Sequence, residues 1–388
     1  MEHADVVVVG AGSIGAMSLW QLSQDPNLKV VGSDAYPRIN LNSSYAGESR
    51  LFRTIVKEGE QFNEHVDVSL ELWHELQDIS SQSLLHQCGM LSIGPPDFES
   101  MQTTRQIAED YELPDEILNS EQLFSRYPQF SPDSHDIGIL DTRGGVLRPE
   151  VAVAAAQLAA EKNNAQLHFR TRVTELTSRT GGVEVSTTEG SYLADHVVVA
   201  AGSWLTRLLP ELGDYVEARP IGSTWAMPHA TSRFYPEEFP GFIRDRVHDD
   251  GMISHWFGVP SLDGYSIKIG YYPAPSDDRV DVDPDTDLRR YSTEQLSYVG
   301  KMLQRCIPDL LPSPVRHEMH HDTYGSNQMP IVDSVKTDER ILYATGMHGV
   351  GFKFAPSYGK MLAEMVLNDK SSLWRDEFAL AAHDRLTE

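Results

Sequence analysis

The chain has 388 residues, enough to bury a large core as two domains or as one domain carrying a large insertion. Its 32 Lys and Arg against 57 Asp and Glu give a formal charge of −25, which argues against nucleic acid or an anionic membrane as a partner, because neutralising phosphates takes Lys and Arg. Cys88 and Cys306 cannot make a disulfide framework and show no metal-ligand spacing. No apolar run reaches the roughly 18 residues of a membrane span, and a strand beginning by Val6 leaves no room for a signal peptide, so a soluble, cytoplasmic protein is expected, a monomer or small homo-oligomer.

The first predicted elements are the most informative. Val6-Val7-Val8-Val9 suits a strand covered on both faces, as in a parallel sheet. Gly10-Ala11-Gly12-Ser13-Ile14-Gly15 then turns into a helix, and Leu28 to Asp34 gives a second strand. Gly10 allows the tight turn, Gly12 lets a pyrophosphate approach the backbone, and Gly15 lets the helix pack on the strand. Free N–H groups and the positive end of the helix dipole at Ser13 and Ile14 favour that pyrophosphate. Asp34 stands where a carboxylate can accept from both ribose hydroxyls and would repel a 2′-phosphate, which disfavours NADP. Glycine-rich turns also join elements that bind nothing, but strand, helix and acid here agree on a dinucleotide, NAD or FAD.

Beyond Asp34 a polar loop, Asn42 to Arg53, either wraps a ligand, with Arg50 and Arg53 facing one anion, or is a solvated surface loop. Phe62, Val66, Leu70 and Trp73 recur at helical spacing over 62–77 and mark a core stripe. From Leu85 to Arg148 short elements broken by Pro95, Pro96, Pro114, Pro128 and Pro132 form an excursion from the first sheet. Pro149 opens a helix reaching about Lys162. Leu167–Phe169, Val173–Leu176, Val183–Val185 and Tyr192–Leu193 are separate short strand candidates, and His196 to Trp204 repeats the buried-strand-then-glycine theme.

A second excursion spans about Glu217 to Glu318, with alternating aromatic and polar residues from Ile253 to Tyr272. Lys268 shares a strand face with Ser266 and Gly270, and a solvated lysine is the ordinary reading of that pattern. His317-Glu318-Met319-His320-His321 satisfies H-E-x-x-H, but Pro312, Pro314 and Gly325 oppose the helix that zinc binding requires, so no metal is expected. Asp281 to Asp287 lacks the glycine and closing glutamate of a calcium loop and reads as a solvated acidic loop. Ile341 to Phe354 gives a third strand and glycine-rich turn, followed by a helix from Ala355 to about Leu367. The first domain is thus assembled from both ends of the chain.

Taken together, Val6–Gly15, Gly47–Arg53, Gly144–Leu147, Ala201–Trp204, Ile267–Tyr271 and Gly346–Phe354 resemble, in order, the monomeric sarcosine oxidase and N-methyltryptophan oxidase family of D-amino-acid-oxidase-like flavoproteins. The resemblance implies an α/β fold with an FAD-binding Rossmann-type domain (1–84, 145–216 and 319–388) and a mixed-sheet substrate domain (85–144 and 217–318). It implies FAD as cofactor, a small-molecule amine bearing a carboxylate as substrate, and O2 reduced to H2O2. By the same resemblance Arg50 lies beneath the flavin, Lys268 activates oxygen, and Arg53 with Lys353 holds the substrate carboxylate. Ser44, Val173, Gly202, Gly346, Gly349, Val350, Gly351 and Lys353 join Gly10 to Gly15, Asp34 and Arg50 around the cofactor.

The departures from the family pattern are specific. His320 aligns with the cysteine that usually bonds the flavin, so non-covalent FAD is expected, with a histidyl linkage as the alternative. Tyr45-Ala46, Tyr272 and Val350 replace family histidines, and Trp256, Phe257, Tyr271 and Tyr272 fall near the expected pocket. A substrate larger than sarcosine, apolar or bulky on its side chain or nitrogen, is therefore expected, with Phe257 and Tyr272 against it. Two alternatives stand: an FAD dehydrogenase of this fold acting on a hydroxy acid or amine with a non-oxygen acceptor, and a non-catalytic nucleotide-binding protein.

Overall fold

The computed structural model describes residues 1–248, 251–272, 282–286 and 290–386. Five parallel strands form the heart of the first sheet, in the order Gln166–Phe169, Val30–Asp34, Glu2–Val9, Gly190–Val199 and Asp338–Thr345. Ile331–Val335 closes one edge antiparallel, and Val173–Arg179 with Gly182–Thr187 pairs antiparallel along the first half of Gly190–Val199. The valine run is buried on both faces because both are covered. Val6 and Val8 join the core made with helices Ser13–Leu22, Asn63–Ser80, Pro149–Lys162 and Ala355–Asn368; Val7 and Val9 join the core on the other face.

One sequence expectation fails here. Tyr192–Leu193 and His196–Val199 are not separate strands but parts of the single strand Gly190–Val199. The cause is tertiary: Glu2–Val9 runs parallel to it in one register, from Glu2 beside Tyr192 to Val9 beside Val199, and the pairing resumes unshifted on the far side of the unpaired Asp5 and Asp195.

Both excursions feed a second, eight-stranded sheet, in the order Arg316–Tyr324, Glu217–Ala226, Ile267–Tyr272, Ile253–Gly258, Gly241–Val247, Met90–Gly94, Ile137–Asp141 and Asp115–Leu118. All neighbours are antiparallel except Gly241–Val247 with Met90–Gly94. The Arg316–Tyr324 strand carries this sheet past the boundary read after Glu318, and its end reaches back to the first sheet: Gly349 N–H donates to Asp322 Oδ2 at 2.8 Å, and Gly346 N–H to Thr323 Oγ1 at 3.0 Å. A small sheet of Arg50–Phe52, Gly145–Leu147 and Leu85–His86 fills the junction.

The H-E-x-x-H residues lie on that extended strand and not on a helix. Among the described residues the one grouping with metal-ligand geometry is His3, Asp5 and Asp195, at the surface. No helix among them is long and apolar enough to cross a membrane.

Candidate active site

The first cavity, of about 490 Å³, opens where the parallel strands end. Gly10 has φ +90°, and a Cβ there would lie 2.5 Å from Ala200 O; a Cβ on Gly15 would lie 1.8 Å from Gly10 O. The chain's own packing therefore demands both glycines. Gly12 is different, because its Cβ would meet only the Tyr45 ring at 3.5 Å, an ordinary contact. Glycine at that position keeps space for something in the cavity.

Helix Ser13–Leu22 starts beside it with no side-chain cap and no acid in its first turn, so its leading N–H groups face the cavity uncompensated. Asp34 accepts from Ala11 N–H and Tyr36 N–H, both at 2.8 Å, and burial raises its pKa. Val173, Gly202, Ser44, Arg50, Gly349 and Gly351 also line this cavity. Gly15, Gly346 and Val350 do not line it and support its wall from behind; Val350 is core. A bare helix N-terminus, a carboxylate at the second strand's end and room at Gly12 fit the ADP portion of FAD.

Sequence reading missed the far end of this cavity. Tyr36 and Trp204 stand with ring centroids 5.1 Å apart, and Arg172 lies 5.7 Å from the Tyr36 ring. Asp285, read as part of a solvated acidic loop, accepts from Tyr36 OH at 2.5 Å, from Trp204 Nε1 at 2.8 Å and from Arg207. Burial works to raise its carboxyl, but those hydrogen bonds hold it down to about 2. Asp283 also meets Arg207, at 2.5 Å. The loop is partly docked because aromatic and cationic partners wait on the first domain. Asp281 and Asp287 lie outside the described residues.

A second cavity of about 690 Å³ shares Ser44, Arg50, Asp322, Gly349 and Phe352 with the first. Arg50 is locked at the joint by carbonyls, donating to Ser44 O, Ala46 O and Ser49 O, each at 2.6 Å. Lys268 is only 8% exposed, which overturns the solvated reading. Its strand is paired on both edges, and its face looks onto the 44–50 loop, where Gly47 O and Ser49 O accept from Nζ at 2.9 and 2.5 Å. Burial, then the charge of Arg50, pulls the lysine pKa well down. The loop is itself pinned, since Gly47 N–H and Glu48 N–H donate to Glu150 Oε1 at 2.7 and 3.0 Å.

Arg50 and Arg53 do not face one anion. Arg53 turns to the second cavity, where it and Lys353 meet the same Glu58 oxygen, Lys353 Nζ at 3.4 Å. Burial, then Arg53, lowers the Lys353 pKa to about 8. Burial works to raise Glu58, but Arg53 and Lys353 hold its carboxyl well below the ordinary range. Glu58 went unnoticed in the sequence. Its one signal is an acid soon after Arg53, and only the fold brings Lys353 to it.

Phe257 lines this cavity, and a Cβ on Gly270, its cross-strand partner, would lie 2.0 Å from the Phe257 ring. Trp256 faces the opposite way, fully buried in the second domain's core, because neighbours on a strand alternate faces. The Tyr272 side chain lies outside the described residues. His320 is 3% exposed, and it lines the second cavity but not the first. Neither ring nitrogen has a hydrogen-bond partner among the described residues, although Glu318 approaches Nε2 at 3.5 Å. Burial lowers its pKa, and Glu318 opposes that.

A family model described as FAD dependent oxidoreductase matches residues 5–365. N-methyl-L-tryptophan oxidases of Yersinia pestis and Yersinia pseudotuberculosis are 28% identical over 380 residues, covering 97% of this chain and 98% of theirs. Among solved structures, NikD, an unusual amino acid oxidase essential for nikkomycin biosynthesis, matches in its open form with a TM-score of 0.85 at 21% identity, over 100% of this chain and 99% of that one. Glycine oxidase from Geobacillus kaustophilus matches with a TM-score of 0.77 at 18% identity, over 99% of this chain and 100% of that one.

Proposed function

The chain belongs to the FAD dependent oxidoreductase family, and from that premise we propose that it is an oxidase of a secondary or otherwise N-substituted α-amino acid, larger than sarcosine. The amine loses hydride from carbon and a proton from nitrogen to become an imine, and O2 takes up both as H2O2. FAD held in the first cavity would supply the two-electron chemistry that links the amine to O2. The observation that carries this reading is the joint between the cavities, where Arg50 and Lys268 are both tethered to the carbonyls of one loop.

The roles of the chain's own groups follow from their places. The uncapped helix at Ser13 and the Asp34 carboxylate hold the pyrophosphate and ribose. Arg53 and Lys353 take the substrate carboxylate in exchange for Glu58. That contact orients the amine, and the cations around it favour the neutral amine that can release hydride. Arg50 and Lys268 place positive charge where negative charge develops during electron transfer to O2. A cavity of about 690 Å³ has room for a side chain or N-substituent far beyond a methyl group.

FAD is held without a covalent bond, since His320 stands where a flavin-linking cysteine would be and lines the second cavity only. Acid precipitation tests this: yellow colour staying in the pellet would contradict it. The function itself is tested by anaerobic bleaching of flavin absorbance near about 450 nm with N-methyl, cyclic and N-glycated amino acids, followed by H2O2 release on admitting air. Purified protein with no flavin spectrum would sink the proposal.

A further inference from the structure

Two phenylalanines of the second sheet lie across the glycine opposite them, one on each face. Phe242 and Gly258 are cross-strand partners, and a Cβ on Gly258 would lie 2.4 Å from the Phe242 ring. Phe257 and Gly270 are partners in the same way, and a Cβ on Gly270 would meet three atoms of the Phe257 ring, at 2.0, 2.3 and 2.5 Å. Glycine inside a strand costs entropy and packs no side chain, so each of the two marks a close approach to the backbone.

The rings differ in what covers them. Phe242 is fully buried, with Phe130 at 4.9 Å and Phe239 at 5.8 Å between ring centroids, and it fills a packed core. Phe257 is only half-buried and faces the second cavity, which Gly270 also lines. Its one aromatic neighbour among the described residues is His255, tilted at 6.2 Å and held to the side, with Nδ1 2.6 Å from Asp245 Oδ1. Part of the Phe257 ring is therefore left to whatever enters the cavity.

The sheet fixes where this ring lies. Ile243, Phe257 and Gly270 form one row across three strands and leave the same face. Lys268 leaves that face two residues before Gly270, about 7 Å along the strand. The ring is thus a floor between Lys268 and His255, reaching from its own strand onto the next. With a Cβ at position 270 it would have to withdraw by about 1.5 Å to regain ordinary contact. The sheet blocks it below and Ile243 stands on one flank, so it would rise into the cavity.

We propose that Gly270 is a specificity-determining residue that acts through Phe257: by letting the ring lie flat, it sets the depth of the second cavity and so the largest side chain or N-substituent a substrate can carry. The proposal rests on the oxidase reading above. A ring-sized substituent has an aromatic face to lie on, which a methyl group cannot use. Phe257 makes the contact, and Gly270 is the positioning residue.

Calorimetric titration of the FAD-loaded protein with propanoate, phenylpropanoate and naphthylpropanoate reads the cavity's depth without turnover, since none of these acids carries an amine to oxidise. The wild type should favour phenylpropanoate over propanoate by on the order of tenfold or more. Gly270→Ala should lower that ratio by on the order of tenfold, as the lifted ring takes up the space. Phe257→Ala removes the floor and should raise the ratio of naphthylpropanoate to phenylpropanoate affinity several-fold. Once Phe257→Ala is in place, adding Gly270→Ala should shift either ratio by no more than about twofold, because no ring remains to be lifted. A general weakening of the fold would show no such rescue.

An unchanged phenylpropanoate preference in Gly270→Ala, or an equal loss with and without the Phe257 ring, overturns the proposal. So does a Phe257→Ala protein whose preference among the larger acids has not moved. A Gly270→Ala protein that fails to fold would mean that the ring has no room to rise, which overturns it as well. If the ratios move as expected while no N-methyl, cyclic or N-glycated amino acid reduces the flavin anaerobically, the oxidase reading fails and the role of Gly270 stands.

Discussion

The two cavities meet at Arg50, yet they are built in opposite ways. One end of the first is set by one contiguous stretch and chiefly by its backbone: N–H groups at the start of helix Ser13–Leu22, space at Gly12, and Asp34 at the end of the next strand. The second is made of side chains that the fold collects from far apart, Arg53 and Glu58 from the first third of the chain, His255 and Lys268 from the second excursion, Lys353 from the C-terminal part. A backbone site tolerates change only where no Cβ intrudes. A side-chain site depends on each charge having its partner.

The largest effect expected separates these two kinds of dependence within the first cavity itself. Gly15→Ala puts a Cβ against Gly10 O and should prevent folding or leave little soluble protein. Gly12→Ala meets only the Tyr45 ring at ordinary distance, so the flavin-free protein should melt close to the wild type while FAD affinity drops by on the order of tenfold or more. Thermal melts of the apoprotein and flavin titration would show it. A Gly12→Ala protein that bound FAD normally would mean that the space at Gly12 serves no ligand.

Lys268→Met comes next. It removes the donor to Gly47 O and Ser49 O and the charge at the joint, while a methionine of similar length fills the space. Reaction of the reduced flavin with O2 should slow by on the order of 100-fold, with anaerobic reduction by substrate affected less. Stopped-flow measurement of the two half-reactions separates them, and an unchanged O2 rate would remove Lys268 from oxygen chemistry.

The same contrast explains what the sequence allowed a reader to see. The glycine fingerprint, the Pro149 helix and the buried strands near both chain ends that share one sheet were legible because each is written in local pattern. Lys268 was not: alternation on a strand tells which residues share a face, but not that the face is roofed by the 44–50 loop. Glu58 and His255 carry no local signature, since the partners that define them, Lys353 and Asp245, arrive through tertiary packing. Trp256 and Phe257 were both placed near the pocket, although neighbours on one strand cannot face the same way.

Charge pairing in the second cavity gives a smaller, pH-dependent effect. Lys353 carries a pKa lowered to about 8, and a carboxylate ligand binds its charged form. Affinity for benzoate, a carboxylate that cannot be oxidised, should be fully present below that value and fall by up to about tenfold as pH rises through it. Glu58→Gln removes the competing carboxylate and also the group that raises the Lys353 pKa. Benzoate should then bind several-fold tighter at neutral pH, with the bend displaced to lower pH. Tighter binding with an unmoved bend would mean that Lys353 is not the titrating group.

The smallest effect bears most directly on the contrast between the cavities. Asp285, with Asp283 beside it on Arg207, carries side chains of the second excursion across to the first cavity, and it accepts from Tyr36, Trp204 and Arg207. The pair is about a third exposed, and water can take over for the lost carboxylate, so Asp285→Ala should cost little stability. Tyr36 and Trp204 would lose their common anchor, and FAD should dissociate a few-fold faster, measured by dilution of the loaded protein into a flavin trap. An unchanged rate would leave the backbone alone in charge of the nucleotide. A loss beyond tenfold would make retention of the nucleotide depend on contact between the two domains, and the first cavity would then be as much a product of tertiary assembly as the second.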